Sequence, residues 1–286
     1  MFNLIRMDVY RMFHSISTWV ILIFTAGLAV FFIMMTDMDL QAIADDQQYA
    51  RQMEAEYEDN TDTQLGIYSD TNPQWVSGDI DAAELAGSGI KSGLLTLLCI
   101  IFAALFMSAE QKNGYIKNIA GQLPNRGVLA LSKMTAAALQ VFLMMAVFAA
   151  VITLSAMILW GDRVCIRVSA DLFAFLGVQY LLNLGFVALI QLLCVLTRSS
   201  AFSMTAGILM IMGLTVPFYS AFNRVVLHFR PEWNFDISRY MLEQNIVQTG
   251  LGSAGDILAR GCAVGCGFLL MSTLLAILIV KKRDVR

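Results

Sequence analysis

The sequence predicts an all-α membrane protein, and three observations support this fold class. Hydrophobic residues fill 58% of the 286 positions and charged residues only 14%, whereas soluble proteins usually carry about 25% charged residues. Apolar runs of roughly 20 residues, the length that a helix needs to cross a bilayer, recur along the chain. The charged residues are distributed very unevenly and concentrate between these runs.

Six apolar stretches are expected to form transmembrane helices, because a helix satisfies its own backbone hydrogen bonds inside lipid. They cover 18–36, 92–109, 134–159, 172–196, 202–221 and 257–280. The first is too long for a cleavable signal peptide and is expected to remain as a membrane anchor. In the last, Gly261 and Gly265 have the spacing that permits close helix packing.

Residues 2–14, "FNLIRMDVYRMFH", are expected to form an amphipathic helix at the membrane surface. One face of that helix carries Phe2, Ile5, Val9 and Met12. The charged residues Arg6, Asp8 and Arg11 lie off this face. An interfacial anchor is the favoured interpretation, and docking to a partner is the alternative.

The basic residues of the short loops predict the orientation of the chain. With a cytoplasmic N-terminus, that side collects Arg6, Arg11, Lys112, Lys117, Arg126, Lys133, Arg198 and the tail "KKRDVR". The opposite side receives residues 37–91, which hold thirteen acidic residues but only Arg51 and Lys91 as basic ones. Both termini are therefore expected in the cytoplasm.

The acidic region 37–91 is expected to form an external loop or subdomain, with a helix around 38–58. It is either an antechamber that concentrates a cationic substrate or partner, or a solvated cap. Its last residues, "GSGIKSG" at 87–93, lack the glycine that a phosphate-binding loop requires before its lysine, because Ile90 stands there. A flexible linker is expected instead. The chain thus divides into 1–36, 37–91 and 92–286.

A short amphipathic helix is predicted over about 113–124, between the second and third spans. Asn113 can cap its start and Pro124 forbids its continuation. Ile116, Ile119 and Leu123 recur on one face, whereas Lys117 lies off it. Such a helix either rests on lipid or inserts into a groove of a partner protein. The simplest alternative is a solvated cytoplasmic loop.

The positions Glu110, Gly114, Pro124, Arg126 and Lys133 resemble the cytoplasmic segment of ABC-2 type transporter permeases. The resemblance extends to the amphipathic start, the six spans, the long external segment at about 222–256 and the basic tail. It is strongest to the small permeases of bacterial antimicrobial-peptide resistance and export systems. It implies that 222–256 forms a re-entrant segment.

The resemblance also implies that 113–124 is a coupling helix seated in a groove of a separate ATP-binding subunit. Ile116, Ile119 and Leu123 would be buried in the groove, with Tyr115 at its rim. Glu110, Arg126 and Lys133 would hold the helix against neighbouring membrane ends through ion pairs. Gly114, Lys117 and Pro124 complete the implied coupling segment.

By this resemblance, the chain is the permease subunit of an ABC exporter in a bacterial plasma membrane, and it moves an amphiphilic peptide or lipid-like substrate. ATP and Mg would be bound by the partner subunit, and a second permease would complete the pore. The chain itself is expected to hold no catalytic site, cofactor or metal, and to bind lipids but no nucleic acid. The alternatives are a membrane scaffold or sensor that binds a ligand through its acidic loop, and an ion-driven transporter. The scarcity of ionisable residues within the spans disfavours the ion-driven transporter.

Polar residues within the expected spans are candidates for a translocation path. They are Gln140, Gln179, Asn183 and Gln191. The other interpretation of these residues is hydrogen bonding between helices.

Overall fold

A computed structural model describes residues 2–58, 71–112, 127–229 and 236–282. The prediction of an all-α fold is confirmed, since nearly all of these residues are helical. In chain order the helices are α1 (Phe2–His14), α2 (Ile16–Asp45), α3 (Gln47–Glu58), α4 (Ala82–Lys91), α5 (Leu94–Lys112), α6 (Gly127–Trp160), α7 (Ala170–Thr197), α8 (Ser200–Ile211), α9 (Val216–Phe229), α10 (Leu242–Gln248) and α11 (Gly255–Lys282).

Four helices of the described chain are long and apolar enough to cross a membrane. They are α2, α6 with its continuation to Arg163, α7 and α11. Two further spans arise if each of two bent helix pairs, α4 with α5 and α8 with α9, counts as one. Large apolar side chains such as Ile23, Phe24 and Leu270 are more than half exposed, as expected for surfaces that face lipid. The chain is thus a multi-pass membrane protein with four to six spans.

Helices α4 and α5 meet at a bend of 51°. The bend lies at Ser92 and Gly93, and Gly93 has a φ of 83°, a left-handed conformation that glycine adopts without strain. The expectation of a flexible linker at 87–93 is wrong, because Gly87, Ser88 and Gly89 are buried within α4. A Cβ on Gly89 would lie 2.6 Å from Cδ1 of Ile152, so the small residues let α4 pack closely against α6.

Helices α8 and α9 meet at a bend of 70°, within the stretch expected to be one continuous span. Gly213 in the break has a φ of 76°. Pro217 is the second residue of α9, where its missing backbone N–H costs no helical hydrogen bond. Helix α9 buries none of its residues in this chain.

Helix α1 confirms the predicted N-terminal helix, and its buried side includes Asp8 as well as part of the expected apolar face. Its buried residues are Asp8 and Met12, whereas Phe2 is 86% exposed. Asp8 was expected to lie off the packing face. It turns inward because Ser132 of α6 donates a hydrogen bond to its carboxylate.

The acidic region packs against the end of α6, and we refer to its described residues 37–58 and 71–81 as the acidic cap. The expected helix around 38–58 is present as the end of α2 and the whole of α3, interrupted at Asp46. Asp37 accepts a hydrogen bond of 2.9 Å from Nε1 of Trp160. The guanidinium of Arg163 donates to the carbonyl oxygens of Trp75 at 2.5 Å and Val76 at 3.0 Å.

Helix α7 lies in the middle of the bundle and packs most closely against α11. A Cβ on Gly265 would lie 3.0 Å from the carbonyl carbon of Leu181 and 3.1 Å from the backbone nitrogen of Leu182. A Cβ on Gly261 would lie 2.7 Å from Cγ1 of Val178. The predicted close packing through these two glycines is confirmed.

Replacing Gly265 with alanine is expected to destabilise the protein, because the new methyl group meets backbone rather than a movable side chain. Overpacking of this kind costs about 1–3 kcal/mol. Gly267→Ala is the matched control on the same helix, since nothing lies within 4 Å of its added Cβ. Thermal unfolding in detergent should show a lower midpoint for Gly265→Ala than for Gly267→Ala. Equal midpoints would contradict the close contact.

Candidate functional site

The segment expected to couple to an ATPase, 113–124, lies outside the described residues. The expected coupling residues that therefore lie outside the described part of the chain are Gly114, Tyr115, Ile116, Lys117, Ile119, Leu123, Pro124 and Arg126. Glu110 belongs to the last turns of α5, and Lys133 lies in the second turn of α6. The structure therefore describes the helices from which the segment leaves and to which it returns.

Lys133 joins these two helices. Its side chain is 7% exposed, and its Nζ donates a hydrogen bond of 3.2 Å to the carbonyl oxygen of Met107 in α5. An ammonium group is favourable there, because a backbone carbonyl oxygen carries partial negative charge and has a second lone pair that can accept a hydrogen bond. Lys133 was expected to hold the coupling segment to neighbouring membrane ends, and it lies where it ties the start of α6 to the end of α5.

Two further hydrogen bonds hold the start of α6. Ser132 donates to the carboxylate of Asp8 in α1, and both side chains are buried. Nε2 of Gln191 in α7 donates to the carbonyl oxygen of Ala130 at 2.8 Å. We call these three bonds, made by Ala130, Ser132 and Lys133, the α6 clamp.

The α6 clamp connects the first turns of one helix to three others, α1, α5 and α7. All three polar side chains that reach across are at least nine-tenths buried, so water does not compete strongly for these bonds. A displacement of the chain that enters α6 must move these helices together or break buried hydrogen bonds. This end of the bundle is therefore suited to transmitting force.

Three of the four polar residues proposed for a translocation path bridge helices or segments. Nε2 of Gln179 donates to the carbonyl oxygens of Ile246 and Thr249, each at 2.9 Å. Asn183 accepts a bond of 2.9 Å from Thr96 and donates one of 2.8 Å to the carbonyl oxygen of Gln179. Together with the bond from Gln191, this geometry favours a role in joining helices.

Gln140 differs from the other three. Its side chain is fully buried in α6, and neither amide atom has a hydrogen-bond partner among the described residues. Burying an unpaired amide costs about 1–3 kcal/mol, so a role in packing alone does not explain a glutamine here. Gln140 is the strongest of the four candidates for a polar path.

Gln140→Met is expected to raise stability, because it removes the unpaired amide at nearly constant volume. Asn183→Leu is the comparison variant, and it should lower stability by about 1 kcal/mol because it breaks two buried hydrogen bonds. Thermal unfolding in detergent measures both effects. If Gln140→Met destabilises the protein as Asn183→Leu does, Gln140 has a partner in the folded chain.

A polar cavity of about 270 Å³ lies between the acidic cap, α4 and the connection from α10 to α11. Its lining includes Tyr57, Trp75, Glu84, Lys91, Gln248 and residues 250–253. Glu84 accepts a hydrogen bond of 3.0 Å from Asn72, so this acidic side chain joins α4 to the acidic cap. Within the described ranges no group of three His, Cys, Asp or Glu side chains could hold a metal ion.

A buried carboxylate, Glu243 in α10, was missed by the sequence analysis. Its side chain is 6% exposed, and Oε1 accepts hydrogen bonds from Thr215 at 3.0 Å and Tyr219 at 2.5 Å. Burial raises the pKa of Glu243 above that of an exposed glutamate, although the two hydroxyl donors and the backbone N–H of Glu243 oppose this shift. A single glutamate in a polar stretch gives no sequence signal for burial.

The sequence matches no protein-family model, and none of the curated protein sequences is significantly similar to it.

Proposed function

We propose that the chain is the permease subunit of an ABC exporter, which couples ATP hydrolysis by a separate subunit to movement of an amphiphilic peptide or lipid-like substrate. Its spans, pattern of basic loops and resemblance to ABC-2 type permeases support this function. The α6 clamp is the structural observation that supports it best, because a permease without its own ATPase site must receive force at a defined place.

In this proposal the apolar face of 113–124, with Ile116, Ile119 and Leu123, seats in a groove of the ATP-binding subunit. Closure of that subunit on ATP and Mg moves the segment. The segment joins α5 to α6, and the α6 clamp carries the movement to α1 and α7 as well. These helices then move together, and no single helix is displaced alone.

The basic loops predict how the proposed assembly is oriented in the membrane. Both termini and the coupling segment face the cytoplasm of a bacterium, and the acidic cap lies outside its plasma membrane. A second permease, identical or related, pairs with this chain. Each of the two bent pairs crosses the membrane once, which gives six spans.

Ile116→Asp with Ile119→Asp is expected to abolish association with the ATP-binding subunit, because two charges would enter an apolar groove. Asn118→Asp is the matched control, since helical spacing places it on the opposite face. Co-purification of the two subunits from membranes measures association. Retention of the ATPase by the double variant would refute the coupling role.

Lys133→Met is expected to preserve association but to reduce ATP-dependent export several-fold, because the hydrogen bond between the end of α5 and the start of α6 is lost. Lys281→Met, at an exposed position near the end of α11, is the control. ATP hydrolysis and substrate export are measured together in proteoliposomes. An unchanged ratio of export to hydrolysis would exclude Lys133 from coupling.

The alternative function is a membrane sensor or scaffold that binds a ligand through the acidic region. The polar cavity beside Glu84 and Lys91 is the observation that favours it. This alternative predicts ligand binding without export and no association with an ATP-binding chain. The co-purification experiment on the unaltered protein therefore separates the two functions.

A further inference from the structure

The break between α8 and α9 is fastened to α10 by one carboxylate. Thr215 lies in the break and Tyr219 in the first turns of α9, and both hydroxyl groups donate to Oε1 of Glu243. Helix α9 buries no residue of its own, so hydrogen bonds matter for its position: these two hold its start, and further along Asn223 exchanges bonds with Asp236 and Ile237.

The second carboxylate oxygen, Oε2 of Glu243, is buried and has no hydrogen-bond partner among the described residues. An ionised carboxylate usually accepts bonds on both oxygens, or lies beside a cation, when it is removed from water. A protonated carboxyl group needs fewer hydrogen-bond partners, because burying the neutral form costs much less free energy than burying the anion. The site is thus better suited to the neutral acid than to the anion.

The charged groups on the elements around α10 either pair with residues other than Glu243 or line the polar cavity. Arg260 of α11 donates to Asn245 at 3.3 Å and to Gln248 at 2.5 Å. Arg239, in the 3-10 turn Ile237–Tyr240 that precedes α10, lies 4.0 Å from Asp236. On α4, Glu84 and Lys91 line the polar cavity. Among these groups none compensates the charge of Glu243, and Tyr219 is the titratable group in direct contact with it.

We propose that Glu243 is a proton-binding site, and that loss of its proton releases α9 from α10 at the break of the α8–α9 pair. With the proton bound, the carboxyl group is neutral and the start of α9 stays packed over it. When the proton leaves, a charge is buried with one oxygen unpaired, and exposure of that charge to water requires α9 to move away. The far end of α10 reaches the polar cavity, where Gln248 lies with Trp75 of the acidic cap, so we expect the site to respond to the pH on that side.

The direction of the pH effect follows from linkage. The pKa of Glu243 is raised in the folded chain, so the folded state binds this proton more tightly than the unfolded state does. The contribution to stability is complete below the ordinary glutamate pKa and declines as pH rises through the raised value. Packing of α9 should therefore weaken with increasing pH.

Hydrogen–deuterium exchange of the full-length protein in detergent tests the site, with rates corrected for the intrinsic effect of pH on exchange. Protection of residues 216–222 is expected to fall several-fold as pH rises from about 5 to about 8, a range above the ordinary glutamate pKa of about 4.3. In Glu243→Gln, which is neutral at every pH and nearly isosteric, protection should stay high and constant. Glu54→Gln, at an exposed position of α3, should behave as the unaltered protein.

Tyr219→Phe provides a second test that does not depend on tolerance of Glu243→Gln. It removes a donor that stabilises the carboxylate anion, so the pH of the transition should shift upward. Infrared difference spectra should show the carbonyl band of a protonated acid in the unaltered protein and lose it in Glu243→Gln. Protection that is independent of pH, or the same pH dependence in Glu243→Gln, would overturn the proposal. These measurements need no ATP-binding subunit, so their outcome is independent of the proposed export function.

Discussion

The fold depends on the contact of α7 with α11, where at Gly265 the two helix backbones approach directly. In lipid the hydrophobic effect does not drive helices together, so association depends on close packing and on buried hydrogen bonds. Gly265 provides the close packing against Leu181 and Leu182. With that contact formed, α7 becomes the central helix on which α5, α6, α8 and α10 all pack.

Helix α6 is held at both of its ends, which makes it the element best placed to carry movement through the bundle. At its start the α6 clamp joins it to α1, α5 and α7. At its end, Trp160 and Arg163 join it to the acidic cap. A helix held at both ends can pass a displacement along its length, because a sharp kink within it would break main-chain hydrogen bonds. The proposed export function uses this path from the coupling segment towards the cap.

Sequence patterns predicted the long helices well, because 18 or more consecutive apolar residues leave few alternatives to a span. The expected stretches 134–159, 172–196 and 257–280 lie within α6, α7 and α11. The missed polar contacts share a physical cause. Asp8 with Ser132, and Thr215 with Glu243, are pairs distant in sequence, and hydropathy carries no information about which polar groups meet. At 87–93, small residues that favour flexibility in water instead permit close packing. The break of the α8–α9 pair did have a local signal, since Gly213 and Pro217 both disfavour a continuous helix.

Photo-crosslinking from position 119 in intact cells tests the central claim most directly. A light-activated residue placed there should form a covalent adduct with a separate ATP-binding chain, and that adduct should resist reagents that cannot cross the membrane. An adduct with lipid alone, or one accessible from outside sealed cells, would contradict the account, because no ATP-binding subunit would then contact the segment that enters α6.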